Sequence, residues 1–201
     1  LRYPNLEVRA SLTGALLDDE ILIEIQGPDA CRFLQGQVTC DVQLLPEGGH
    51  TLGACCDNKG RMLATFRLCK ASPERLLLRL PRGVASALVV HLARYKVFFK
   101  CAMTILDTWS IWGVWPPTAV PDPASSSAAN GCPTAVELAT RGHGLAIVHD
   151  HSTRFEIWLP AESEQRIESL PAILTAGGCT LAHEQAATWY RQEFCAGIGR
   201  V

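Results

Sequence analysis

An α+β fold of two related strand–helix halves is what the sequence predicts, and three observations lead there. Alternating β-type runs such as Ile21–Ile25 and Arg75–Leu80 are interleaved with helical-period runs such as Gly83–Tyr95. A short pattern of strand, Leu-Pro and helix occurs twice, at Leu76–Pro81 and at Phe155–Pro160. Between the two copies, residues 116–134 carry Pro116, Pro117, Pro121, Pro123, Pro133 and the run Ser125–Ser127, a linker composition. The expected organisation is therefore a first half over 1–115, a linker over 116–134 and a second half over 135–201.

The elements follow in order. Ile21–Ile25 alternates and is β-branched, hence a strand. Gln26-Gly27-Pro28-Asp29 breaks it, and a short helix from Ala30 to Gln35 is closed by Gly36. His50–Cys56 and Arg61–Leu68 read as a hairpin around Asp57-Asn58-Lys59-Gly60, because Asn and Gly tolerate positive φ. Arg75–Leu80 is the next strand. Gly83–Tyr95 then places Val84, Leu88, Leu92 and Tyr95 on one helical face. Val97–Phe99 reads as extended again, and Trp109–Trp115 as a strand. Beyond the linker, Leu145–His149 and Phe155–Leu159 form a strand pair, Ala161–Ala176 a helix, and Glu184–Cys195 a last helix before Gly197.

Composition narrows the function classes. The chain has 201 residues, 48% hydrophobic and 19% charged, with a net charge of -2, so no basic field for nucleic acid is visible over the whole chain. No apolar run approaches the roughly 18 residues of a spanning helix, and Leu1–Ala10 lacks a signal pattern. No membrane partner is expected, and an intracellular location is. The nine cysteines are odd in number and contain no C-x-x-C pair, which suits reduced thiols. Cys55 and Cys56 point to opposite strand faces, unsuited to a bridge or a shared metal.

Two polar clusters stand out. In Phe33–Val42, the side chains of Gln35, Gln37, Thr39 and Asp41 follow a helix end and offer amide, hydroxyl and carboxylate groups that suit a flat heterocycle. The same residues equally serve local turns. In Gly53–Met62, Lys59 and Arg61 can hold the anionic tail of a ligand, or be ordinary charges at a hairpin tip.

Together, "F-L-Q-G-Q-x-T-x-D" and, about twenty residues on, "G-A-x-x-x-x-K-G-R" resemble the YgfZ-type folate-binding family, relatives of the glycine-cleavage T-protein. Tyr95-Lys96-Val97 and Trp189–Val201 extend the resemblance along the chain, with Gly199 where the family has Pro. The resemblance implies a T-protein-like fold with two halves around a central cleft. It implies tetrahydrofolate or a related folate as cofactor, and a role supporting iron–sulfur cluster assembly or repair. Iron–sulfur client proteins and tRNA enter as partners on the same ground, and the bacterial cytoplasm or the mitochondrial matrix as location. Within it, Gln35, Gln37 and Asp41 are expected near the pterin, Lys59 or Arg61 near the glutamate tail, and Thr39 among the cofactor-binding residues without an assigned contact.

The departures matter as much. The family's "K-G-C-Y/F-x-G-Q-E" motif lies beyond the Gly-Ile segment, and the sequence reaches only Val201. Its reactive cysteine is therefore not assigned, no catalytic residue is named, and a C-terminal barrel is expected to be absent. Aminomethyltransferases of the T-protein class, the alternative reading, place an Asp pair after the hairpin glycines, where Met62–Thr65 has no acid. They also carry a Glu where this chain has Ser152. Leu, Ala and Ser accept no proton near neutral pH, which disfavours that chemistry.

Other candidates are weaker. His149 and His151, with His143 nearby, lack further ligands at metal spacing, so no metal is expected. Trp109, Trp112 and Trp115 suit core area better than a pterin-stacking wall. No phosphate-loop, dinucleotide or nucleophile-elbow motif occurs.

Overall fold

The computed structural model describes residues 11–115, 145–148, 154–160, 180–195 and 198. In chain order its elements are β1 (Ser11–Leu16), β2 (Glu20–Gln26), α1 (Ala30–Gln35), β3 (His50–Cys56), β4 (Met62–Ser72), β5 (Arg75–Pro81) and α2 (Arg82–Ala93). There follow β6 (Ala102–Leu106), β7 (Trp109–Trp115), β8 (Leu145–Val148), β9 (Phe155–Pro160), β10 (Thr180–His183) and α3 (Ala186–Cys195). These described residues fall into two units. One holds 11–17, 110–115, 145–148, 154–160 and 180–190; the other holds 18–109, 191–195 and 198.

The first unit is a mixed sheet in the order β10-β1-β7-β9-β8. β1 runs parallel to β10 and antiparallel to β7, and β8 pairs antiparallel with β9. Leu12, Trp112, Val114, Phe155, Ile157 and Leu159 make its core. Gly113 has a packing reason: a Cβ there would lie 2.4 Å from the Trp189 ring. Trp112 meets His183 edge-on, and Trp115 tilts against Trp189 at 5.8 Å. These indoles supply core area, as their size favours.

The second unit is an antiparallel sheet in the order β3-β4-β5-β2-β6. The period of two along each strand sorts its residues. Ile21, Ile23, Ile25, Ala64, Phe66, Leu68, Leu76, Leu78 and Leu80 share one hydrophobic core. Phe33 and Leu34 of α1 and Ala85, Leu88 and Leu92 of α2 complete it. Alternate positions, including Glu20, Arg67 and Arg79, fall on the opposite face.

Most expected elements are present, with instructive shifts. The hairpin turn closes with Gly60 N–H donating to Asp57 O at 3.0 Å, and Gly60 has φ +77°. Gly36 caps α1 in right-handed geometry, φ -82°, so its left-handed freedom is unused there. α2 stops at Ala93, and Tyr95 is exposed rather than on the buried face. Val97–Phe99 is not extended: it is a turn in which Phe99 N–H donates to Lys96 O, and the strand begins only at Ala102. Its apolar composition mimics a strand, but Val97 and Phe98 face solvent. α3 begins at Ala186, two residues later than expected. Strands β1, β6 and β10 have no counterpart among the expected elements, because four to six residues without strong alternation carry little signal. The linker over 116–134, the helix over 161–176, and His143, His149, His151 and Ser152 lie outside the described residues.

Cys55 and Cys56 part as their alternation requires, Cys55 buried in the core and Cys56 half-buried at a register shift. Burial pushes the thiols of Cys55 and Cys69 up to about 11. Near neutral pH, iodoacetamide followed by mass spectrometry is expected to modify exposed Cys195 well before Cys55 or Cys69. As pH rises above 9.0 toward about 11, unfolded thiols ionise while these two stay protonated in the fold. The native state then binds more protons than the unfolded one, and stability falls with rising pH across that window.

Candidate functional site

A cavity of about 290 Å³ opens in the second unit. Thr39, Leu52, Gly53 and Ala54 line it from the α1–β3 loop and β3; Thr65, Phe66 and Arg67 do so from β4. Arg79, Leu80 and Pro81 of β5, Glu20 of β2, and Glu193 and Ile198 complete the lining.

A buried charge cluster forms part of this wall. β4 and β5 pair with Arg67 directly opposite Arg79, and β5 pairs Pro81 with Glu20 of β2. Arg79 Nη1 lies 3.3 Å from Glu20 Oε1, and Nη2 donates to Glu193 Oε1 at 2.6 Å. The three side chains are 6%, 0% and 1% exposed, so each charge has left water and relies on the others. Arg67, also buried, approaches His50 Nδ1 at 3.4 Å. Two guanidiniums and two carboxylates balance, which permits four ionic groups in one interior.

The expected site residues distribute unevenly around it. Gln35 Oε1 accepts from the amides of Val42 and Gln43 at 2.7 and 3.0 Å, tying down the loop after α1. Asp41 Oδ1 accepts from the amides of Gln43 and Leu44, a local turn. Gln37 is half-buried, its backbone N–H donating to Leu34 O. Thr39 Oγ1 accepts from Ala54 N–H at 2.9 Å while Thr39 N–H donates to Ala54 O, fastening the loop to β3. Thr39 alone of the six lines the cavity. Lys59 and Arg61 sit exposed at the hairpin tip, where Asp57 Oδ1 accepts from both of their amides. The Arg61–Asp57 ion pair spans 3.7 Å, and Arg61 is 71% exposed, so the pair adds little stability.

Sequence reasoning missed Glu20, Arg67, Arg79 and Glu193. A signal existed for two of them. Arg79 interrupts the apolar run Leu76–Leu80, and Arg67 sits between Phe66 and Leu68. A charge inside a strand that reads as buried demands a partner. In the first unit Glu156 is likewise fully buried, its Oε2 accepting from Trp158 Nε1 at 2.8 Å. Among the described residues no group of His, Cys, Asp and Glu could hold a metal ion, and no helix is long and apolar enough to cross a membrane.

Comparison with known proteins completes the picture. No family model matches the chain. A protein of Haemophilus influenzae described as uncharacterized is 44% identical over 93 residues, which are 46% of this chain. The match covers 33% of that relative's length. The solved structure of the heterotetrameric sarcosine oxidase from Corynebacterium sp. U-96 aligns over 83% of this chain and 85% of its own, at 13% identity and a TM-score of 0.46. That of the glycine cleavage system aminomethyltransferase T from Bartonella henselae aligns over 88% of this chain and 49% of its own, at 18% identity and a TM-score of 0.62. Over most of its length, then, the chain is similar in fold to the T-protein of glycine cleavage, as a mixed α+β structure without a closed barrel among its described residues.

Proposed function

We propose that the chain binds tetrahydrofolate or a related folate in the cavity beside Thr39. Its role is that of an accessory protein supporting iron–sulfur cluster assembly or repair, as in the YgfZ-type proteins it resembles. The observation that carries the reading is the cavity itself. It lies within a T-protein-like fold, is edged by Thr39 of the F-L-Q-G-Q-x-T-x-D segment, and joins apolar walls to buried ionic groups. Its volume sits at the lower end of ligand pockets, which begin near roughly 300 Å³. That is room for a bicyclic ring but not for a whole folate, so the p-aminobenzoyl-glutamate tail extends outward. The exposed Lys59 and Arg61 are the proposed contacts of its carboxylates, while Gln35 and Asp41 act by shaping the loop that carries Thr39.

On the same reading the two sheets are the related halves of one folate-binding body, iron–sulfur clients and tRNA are partners, and the cytoplasm or mitochondrial matrix is the location. Aminomethyl transfer is the lesser reading. Met62–Thr65 holds no acid, and Thr65 brings only a hydroxyl to the cavity wall.

Titration calorimetry of the protein with tetrahydrofolate is expected to give a saturable isotherm. Arg61→Ala should weaken it by about two- to fivefold, the scale of one exposed ionic contact. A flat isotherm from folded protein sinks the reading; equal affinity in the variant removes only Arg61 from it. For the accessory role, a strain lacking the protein should lose activity in iron–sulfur enzymes and regain it with the wild-type chain.

A further inference from the structure

We propose that the turn after α2, residues 94–100, is a contact site for an anionic phospholipid surface. Val97 and Phe98 enter the headgroup region, and the neighbouring cations pair with lipid phosphates. None of these residues lines the cavity, so the inference stands apart from the folate reading. It revises the expectation of no membrane partner, which rests on the lack of a spanning run; a surface contact needs none.

Val97 is 75% exposed and Phe98 89%, and Val90 and Tyr95 are exposed as well. Water disfavours bulky apolar groups left outside in this way, and a cluster of them marks an interaction surface. The turn is also held in place. Phe99 anchors it, with its ring 5.3 Å from that of Phe33 and the Arg32 guanidinium 5.1 Å over it. Phe99 N–H donates to Lys96 O, Lys96 Nζ to Cys101 O and Lys100 N–H to Asp29 Oδ2, each at 2.8 Å. Val97 and Phe98 therefore form a fixed apolar knob that turns inward only if these bonds break.

Charge identifies the occupant. Residues 75–106 contain no Asp or Glu, and Arg94, Lys96 and Lys100 fall within seven residues of a chain whose net charge is -2. Asp29, the acid that touches the turn, is engaged by Arg32 at 3.6 Å. The turn is thus opposite in sign to the whole chain, and Lys and Arg near an anionic membrane surface favour binding to it. The same charge opposes a second copy of the turn as occupant. Val90 and Val97 have no aromatic face for a nucleic-acid base to stack on, whereas a lipid interface accepts any apolar side chain.

The test is co-sedimentation of the intact protein with vesicles of phosphatidylcholine alone, and with about one-third phosphatidylglycerol. The anionic vesicles are expected to bind it about tenfold better than the neutral ones, and to release it as salt rises to about 0.5 M. Phe98→Ser should weaken binding about tenfold, the low end for burying one Phe, and Lys100→Ala about fivefold. Phe98 is exposed, so its variant should keep the urea midpoint of the wild type. Wild-type protein left in the supernatant by anionic vesicles at low salt overturns the proposal, as does equal binding to both vesicle types. Undiminished binding by Phe98→Ser overturns it too, by reducing the contact to diffuse charge. Binding of single-stranded RNA that Phe98→Ser abolishes, with vesicles ignored, overturns it in favour of a nucleic acid.

Discussion

Arg79→Met is expected to destabilise the protein by about 3–5 kcal/mol, read as a lowered urea midpoint at unchanged slope. The side chain is 6% exposed and is the shared counter-ion of Glu20 and Glu193, at 3.3 and 2.6 Å. Met fills much of the same volume, so lost packing is a minor part of the effect. The large part is two carboxylates stripped of the guanidinium that compensated their desolvation. Breaking one side of a buried ionic network is far worse than removing all of it. Arg79→Met combined with Glu20→Gln and Glu193→Gln should therefore recover most of the loss. A single variant as stable as the wild type would mean that the cluster is hydrated in solution.

Gly27→Ala is expected to cost roughly 3–5 kcal/mol, the upper end for a point change. Gly27 has φ +138°, a region that side-chain-bearing residues occupy only under strain of about 1–3 kcal/mol. Space is lacking as well: a Cβ would lie 2.4 Å from Lys100 O and 2.8 Å from Cys101 Cα. Both are backbone atoms, which cannot rotate aside as a side chain would. Lys100 is tied in turn, its amide donating to Asp29 Oδ2 at 2.8 Å. Gly60→Ala is the control. Its φ is +77°, but nothing lies within 4 Å of the added methyl, so only the left-handed strain of about 1–2 kcal/mol applies. Equal losses in the two variants by urea denaturation would show that the close approach at Lys100 is not rigid.

The two clusters read from the sequence show why a site is harder to read than a strand. Gln35 and Asp41 carry the right groups for a ligand, yet their oxygens accept from the amides of residues 42–44, close by along the chain. Short polar side chains near a turn find local donors first, because little chain entropy is lost in meeting them. Arg79 had the opposite fate. It looked like one residue in a repeat of strand, Leu-Pro and helix, and its strongest partner lies 114 positions away. Tyr95 and Val97–Phe99 carry the same lesson for the fold: their apolar character suggests burial or an extended run, and the chain turns there instead.

By itself the sequence determined the local elements: the α1 turn after Pro28, the hairpin around Asp57–Gly60, the β5–α2 unit and the reduced state expected of the thiols. Each depends on φ preferences, side-chain period or composition acting within a few residues. Tertiary structure alone decided the cavity, the meeting of Glu20, Arg79 and Glu193 along its wall, and the assignment of Thr39 rather than Gln35 to its edge. Those depend on which strands pair and in what register, and a buried charge takes whichever counter-ion that register brings within about 3 Å, however far away it lies along the chain.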